Sequence, residues 1–222
     1  MIHIKKNSVV KTLVFCLVFI FIETLCFSYY LMNGSTGGYN ESTQPPGIQC
    51  NISMEILVTE GAGYFFQVHA KVQTLLNMVE LKDIKYIDYI KLNQLVNSAL
   101  INIINARLSF EELIKVAELT PYNLEVIEKL NCFDYENFLN EYRLNPSIFG
   151  IVRDYLVNGD ITGIYKYTYG NLKKIEQFIT TVQSLISKNR IPELEIFWRL
   201  NELCAEESLF GSYIARIFKE IK

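Results

Sequence analysis

From Cys50 onward, apolar residues recur at three- and four-residue steps, the spacing of one face of an α-helix. Val58, Ala62, Phe65, Val68, Val72, Leu75 and Val79 form one stripe and predict a long helix. Its start is open, because Gly61-Ala62-Gly63 can delay it to about Tyr64. A second helix is expected from about Ile84 to Arg107, with Asp83 as its N-cap and Leu92, Leu95, Val96, Ala99, Ile103 and Ala106 inward. After Asn158-Gly159, Asp160 can cap a third. Ile161, Ile164, Tyr165, Thr168, Leu172, Ile175, Ile179, Val182 and Ile186 trace its apolar side. Tyr165 to Tyr169 also alternates like a strand, but no partner strand is readable elsewhere, so helix is expected. Pro192 opens a fourth helix, to which Leu194, Trp198, Leu203, Leu209, Tyr213 and Ile217 give much of its apolar content.

Between the second and third helices the pattern repeats at an offset of 25 residues. Ser109-Phe110-Glu111-Glu112-Leu113-Ile114 aligns with Asp134-Tyr135-Glu136-Asn137-Phe138-Leu139, and Leu119-Thr120-Pro121 with Leu144-Asn145-Pro146. Leu124, Val126 and Ile127 then align with Phe149, Ile151 and Val152. Each unit reads as a capping residue, a short helix, then Thr-Pro or Asn-Pro opening another. Ser109 with Glu112 fits a capping box, and Pro at the first helical position loses no hydrogen bond. The expected fold is all-α. It is an antiparallel bundle of four long helices, with a duplicated pair of short helical hairpins (about 108–132 and 133–157) inserted between the second and third.

The first 28 residues carry a different pattern. Lys5, Lys6 and Lys11 precede an unbroken apolar run from Thr12 to Ile22, within the 7–15 residues of a signal-peptide core. Cleavage after Ser28 is the expectation. The alternative is an uncleaved anchor from Thr12 to about Met32, against which Glu23 counts, since mid-membrane charge costs roughly 2.5–3.5 kcal/mol. Either way the basic cluster stays inside, and the chain beyond the apolar run is exported, periplasmic or extracellular. Residues 29–49, rich in Gly, Ser, Thr and Pro, read as a flexible tether, and 50–222 as a single helical domain.

Composition sharpens this picture. The 222 residues carry 21 Lys and Arg against 24 Asp and Glu, a net charge of -3. Without a leader ending at Ser28 the balance is 18 against 23, or -5. That sign argues against nucleic acid as a partner, because such binding draws on phosphate neutralisation. Membrane contact is expected only through the N-terminal segment. Cys50, Cys132 and Cys204 remain after the leader, so one intramolecular bridge at most can form. In the expected topology Cys50 and Cys132 lie at the same end of the bundle and are the disulfide candidates.

Candidate chemistry is sparse. His69 is the only histidine beyond the leader, so a Ser-His or Cys-His centre would have to use it. It flanks the inward stripe, where a local hydrogen bond is the ordinary role of a histidine. No Glu-x-x-His, Cys-x-x-Cys or Gly-rich phosphate loop occurs, so neither metal nor cofactor is expected. The carboxylate pairs Glu111/Glu112, Glu202/Glu206 and Glu206/Glu207 read as solvated faces, with Glu195 one turn from Arg199. The remaining positive feature is 14 Tyr, 14 Phe and one Trp. Tyr165, Tyr167 and Tyr169, and Trp198 with Tyr213, are the ligand- or interface-lining candidates, beside His69. The expected function is an exported, non-enzymatic helical protein binding a partner protein or small ligand at the cell envelope. The alternatives are a membrane-anchored sensor-type bundle and an enzyme that works with carboxylates and tyrosines.

Overall fold

The computed structural model describes residues 54–80, 88–119 and 124–221, and among these the chain is all helical. The seven described helices are α1 (Met54–Glu80), α2 (Tyr89–Leu119), α3 (Leu124–Asn131), α4 (Tyr135–Tyr142), α5 (Pro146–Val157), α6 (Ile161–Ile186) and α7 (Leu194–Glu220). The leader, the tether, Cys50, Asp83, Thr120 and Pro121 lie outside the described residues.

Side-chain pairs fix how the long helices meet. Gln67 of α1 reaches Asn102 of α2, and Gly61 lies against Phe110, so α1 and α2 run antiparallel. Arg107 and Glu118 of α2 meet Glu176 and Lys166 of α6, again in opposite directions. His69 and Glu80 of α1 meet Ser208 and Trp198 of α7, and Tyr167 and Asn171 of α6 meet Phe210 and Glu207 of α7. Both of those pairs are antiparallel too. One core cluster runs through all of them, with Val68, Val72, Leu92, Ile103, Leu172, Ile175, Phe197 and Leu200 almost wholly enclosed.

The apolar stripes explain this packing. All nine residues marked on α6 by their spacing are buried. Those of α1 are buried except Val79, which packs half-covered against the core. Gly61 does not break α1. A Cβ there would sit 2.8 Å from the Phe110 ring, so the missing side chain lets α1 and α2 approach. The Tyr165–Tyr169 alternation is helix, not strand.

Two expectations need correction. The second helix runs on from Arg107 to Leu119, and Ser109 is no cap. Its hydroxyl donates to the Asn105 carbonyl one turn back, a mid-helix bond. The physical reason is that Ala106, Phe110, Leu113 and Ala117 continue the buried stripe without a phase break, so tertiary burial outweighs the cap signal. At an offset of 25, burial therefore matches only in the first half of each unit. Phe110 and Leu113 are buried like Tyr135 and Phe138, but Leu124 is exposed where Phe149 is buried.

The other caps form as their residues require. Asp134 accepts from the Asn137 amide, Asn145 from Ser147 and Ile148 ahead of Pro146, and Asp160 from Gly163 at 2.7 Å. Gly159, at φ +62, closes α5 in the left-handed region that a side chain resists. Tyr213 of α7 holds this segment: its hydroxyl accepts from the Asn145 amide at 2.9 Å and its ring meets Phe149 edge-on. Tyr142 adds a hydrogen bond to Glu220 and a face for the Arg216 guanidinium.

Candidate functional site

The inward face of α7 contains the unusual chemistry. Phe197, Leu200, Cys204, Glu207, Phe210, Ile214 and Ile217 recur at three- and four-residue steps, so a carboxyl group occupies a core position. Glu207 is 4% exposed, which corrects its assignment to a solvated acidic face. Asn171 Nδ2 donates to its Oε2 at 2.7 Å, and the Thr168 hydroxyl also bonds it. Burial pushes the carboxyl above its ordinary range; the bonds from Asn171 and Thr168, and the Lys174 ammonium, oppose that shift. Lys174 is exposed and reaches Asn171 Oδ1 at 3.5 Å, so it stays outside the centre that holds the carboxyl.

The next residue joins α1. Ser208 donates its hydroxyl proton to the Cys204 carbonyl at 2.9 Å, leaving its oxygen to accept from His69 Nδ1 at 3.0 Å. Gln73 Nε2 then donates to His69 Nε2 at 3.2 Å. A neutral imidazole protonated at Nδ1 fits all three contacts. Burial also lowers its pKa, because the charged ring is the more costly form to enclose. On the far side of α1, Gln67 Oε1 accepts from the mostly buried Asn102 at 3.0 Å. The polar centre thus links α1 to α2 and α1 to α7 through one hydrogen bond each, and α6 to α7 through the two that Glu207 accepts.

This arrangement ties the long helices to one another by side-chain hydrogen bonds. Ser208 sits mid-helix, where the surrounding amides bond helical carbonyls and cannot form an oxyanion hole. Its proton goes to a carbonyl, away from His69. Among the described residues no group of three or more His, Cys, Asp or Glu could hold a metal ion. No described helix is long and apolar enough to cross a membrane.

The aromatic candidates are dispersed. Tyr165 is buried in α6, and Tyr167 lies half-buried between Tyr155 and Phe210, with ring centroids 5.9 and 4.5 Å away. Tyr169 sits beside Arg107, which Glu176 also holds at 2.6 Å. Tyr213 belongs to the α5 joint described above. Trp198 lies fifteen residues from it on α7, or about 22 Å along the axis. Trp198 is 53% exposed, and its indole N–H donates to Glu80 at the end of α1. Arg199 pairs with Glu202 instead of Glu195. Cys132 is exposed just after α3, and Cys204 is buried and unreactive, its thiol pushed up by burial.

Glu207 and Asn171 are the residues that sequence reasoning missed. The signal for Glu207 was its place in the step Leu200, Cys204, Glu207, Phe210. No protein family, curated protein or solved structure matches this chain.

Proposed function

We propose that this chain is an exported, non-enzymatic helical protein that binds a partner protein at the cell envelope. In this reading residues 1–28 are a cleaved signal peptide, 29–49 a tether, and the body an antiparallel four-helix bundle with short helices between its second and third long helices. The observation that supports the binding role best is Trp198. An indole 53% exposed is held by Glu80 of another helix, so little side-chain entropy remains to be lost on contact. Glu80, which holds the indole, and Glu195, exposed a turn before it on α7, give it an acidic side, while Glu202 a turn beyond is paired with Arg199. The matching partner surface is an apolar recess edged by Lys or Arg. Anchors of this kind dominate protein interfaces.

Two measurements on material from the producing cells test this. N-terminal sequencing is expected to begin at Tyr29; a chain starting at Met1 and retained in the membrane supports the anchored alternative instead. A partner cross-linked in the intact envelope is then titrated against the purified chain while the emission of Trp198, the sole tryptophan, is recorded. A blue shift is expected, with Trp198→Ala weakening binding about 30-fold or more, as for a 2 kcal/mol hot spot. Equal binding by both proteins removes the anchor and with it the reading.

A further inference from the structure

A second surface stands apart from Trp198. Ile90, Ile101 and Leu108 of α2 are 73, 59 and 50% exposed. Steps of eleven and seven residues put them in one line, with Ile104 half-covered beside it. The line runs along the side opposite the buried stripe of Leu92, Val96, Ala99 and Ile103. Scattered apolar side chains need no explanation on a surface, but these three share one side of a single helix, with Gln94 and Asn97 between the first two.

The charges beside the line say what fits it. Lys91 lies in the first turn of α2, whereas Glu111 and Glu112 lie towards its far end. A parallel copy would set like charge against like. An antiparallel copy related by a two-fold axis sets Lys91 against the partner's Glu112, twice by symmetry. That register brings Ile101 to the axis against its own counterpart and lays Leu108 over the stem of the partner's Gln94. It also carries Glu112 towards the amino end of the opposite α2, where the helix dipole favours an acid. Among the described residues Glu112 pairs with Lys115, an exposed pair at 3.2 Å that costs little to share.

We infer that the outer face of α2 is the docking surface for a second copy of this chain, paired antiparallel through Ile101 and Lys91–Glu112. In that register the two α2 helices overlap from Tyr89 to about Leu113, a contact line of about 37 Å. One helix face buries less than the roughly 800 Å² per partner of a standard interface, so a weak, concentration-dependent dimer is expected.

Sedimentation equilibrium of the full-length chain, kept reduced so that exposed Cys132 cannot link copies, tests this. Dimer is expected to accumulate as concentration rises towards about 1 mM, and Ile101→Glu to raise the dissociation constant at least about tenfold. Lys91→Glu and Glu112→Lys should each weaken association, and the double variant should restore it. Circular dichroism of each variant verifies folding, and all these positions face solvent. A wild-type chain monomeric at about 1 mM, or one whose dimer ignores Ile101→Glu, overturns the proposal and leaves the face to another molecule. Failure of the double swap overturns the register.

Discussion

Glu207→Gln is expected to stabilise the protein at neutral and alkaline pH. Gln keeps the length of the side chain and an oxygen for Asn171 Nδ2, but carries no charge. Enclosing a carboxylate costs several kcal/mol after relaxation, and each hydrogen bond to it returns about 1.5–3 kcal/mol. Glu207 has two such bonds, from Asn171 and Thr168, and only the exposed Lys174 as a nearby cation. Burial outweighs these donors, so the charged form keeps a net cost on the order of 2 kcal/mol. Its folded pKa is raised, so the neutral acid's contribution is complete below the ordinary value of 4.5 and is lost as pH rises through the folded value. The assay is thermal unfolding by circular dichroism at pH 4 and pH 8. At pH 8 a gain of about 2 kcal/mol raises the Tm of Glu207→Gln by about 4–8 °C in a domain of this size. At pH 4 most of that gain disappears. A difference of the same size at both pH values, or a less stable variant at pH 8, would show that the two donors and Lys174 fully compensate the charge.

His69 works in the opposite direction. Burial lowers its pKa, so the stability from its neutral ring is present above the ordinary value of 6.5 and is lost as pH falls towards the folded value. Between pH 7.5 and 5 the denaturant midpoint of the wild type should lose ground relative to that of His69→Gln. Gly61→Ala places a Cβ 2.8 Å from the Phe110 ring, and overpacking of about 1–3 kcal/mol exceeds the helix propensity gained, about 1 kcal/mol. Urea unfolding should show net destabilisation that Phe110→Leu partly relieves; additive losses would refute the contact. Under reducing conditions, native-state thiol labelling followed by mass spectrometry should modify exposed Cys132 at once and buried Cys204 only on unfolding.

Periodicity made the long helices legible because each buries one stripe against the others. On α6 that stripe was complete from Ile161 to Ile186. The end of α2 was misread because a local signal, Ser109 with Glu112, competed with a stripe that continues through Phe110 and Leu113. The side chain follows whichever backbone burial selects. Asp134 and Asn145 show the converse, since there the apolar phase does break and the caps form. On α7 the weighting of apolar residues drew attention to Trp198 and Leu209, which are exposed, and away from Glu207, which is not. A hydropathy pattern assigns every carboxylate to water, so a buried one appears only when position is weighed above residue type. The helix-to-helix hydrogen bonds between residues as distant as His69 and Ser208 depend on how two helices face each other, which their separate patterns do not encode.

The place of α7 in the order of synthesis has a consequence for assembly. It supplies Phe197, Leu200, Phe210 and Ile217 to the core, and the acceptors for His69 and Asn171. Of the described helices it is the last to be made. Until it arrives, the sides of α1 and α6 that it covers stay wet, with His69 and Asn171 satisfied by solvent. The α1–α2 hairpin can close early, because Gln67 and Asn102 are only 35 residues apart. Bringing Ser208 to His69 closes a span of 139 residues and must come late. The nascent protein therefore carries an unsealed apolar groove for most of its elongation, and a lesion in α7 leaves that groove open to chaperones and proteases.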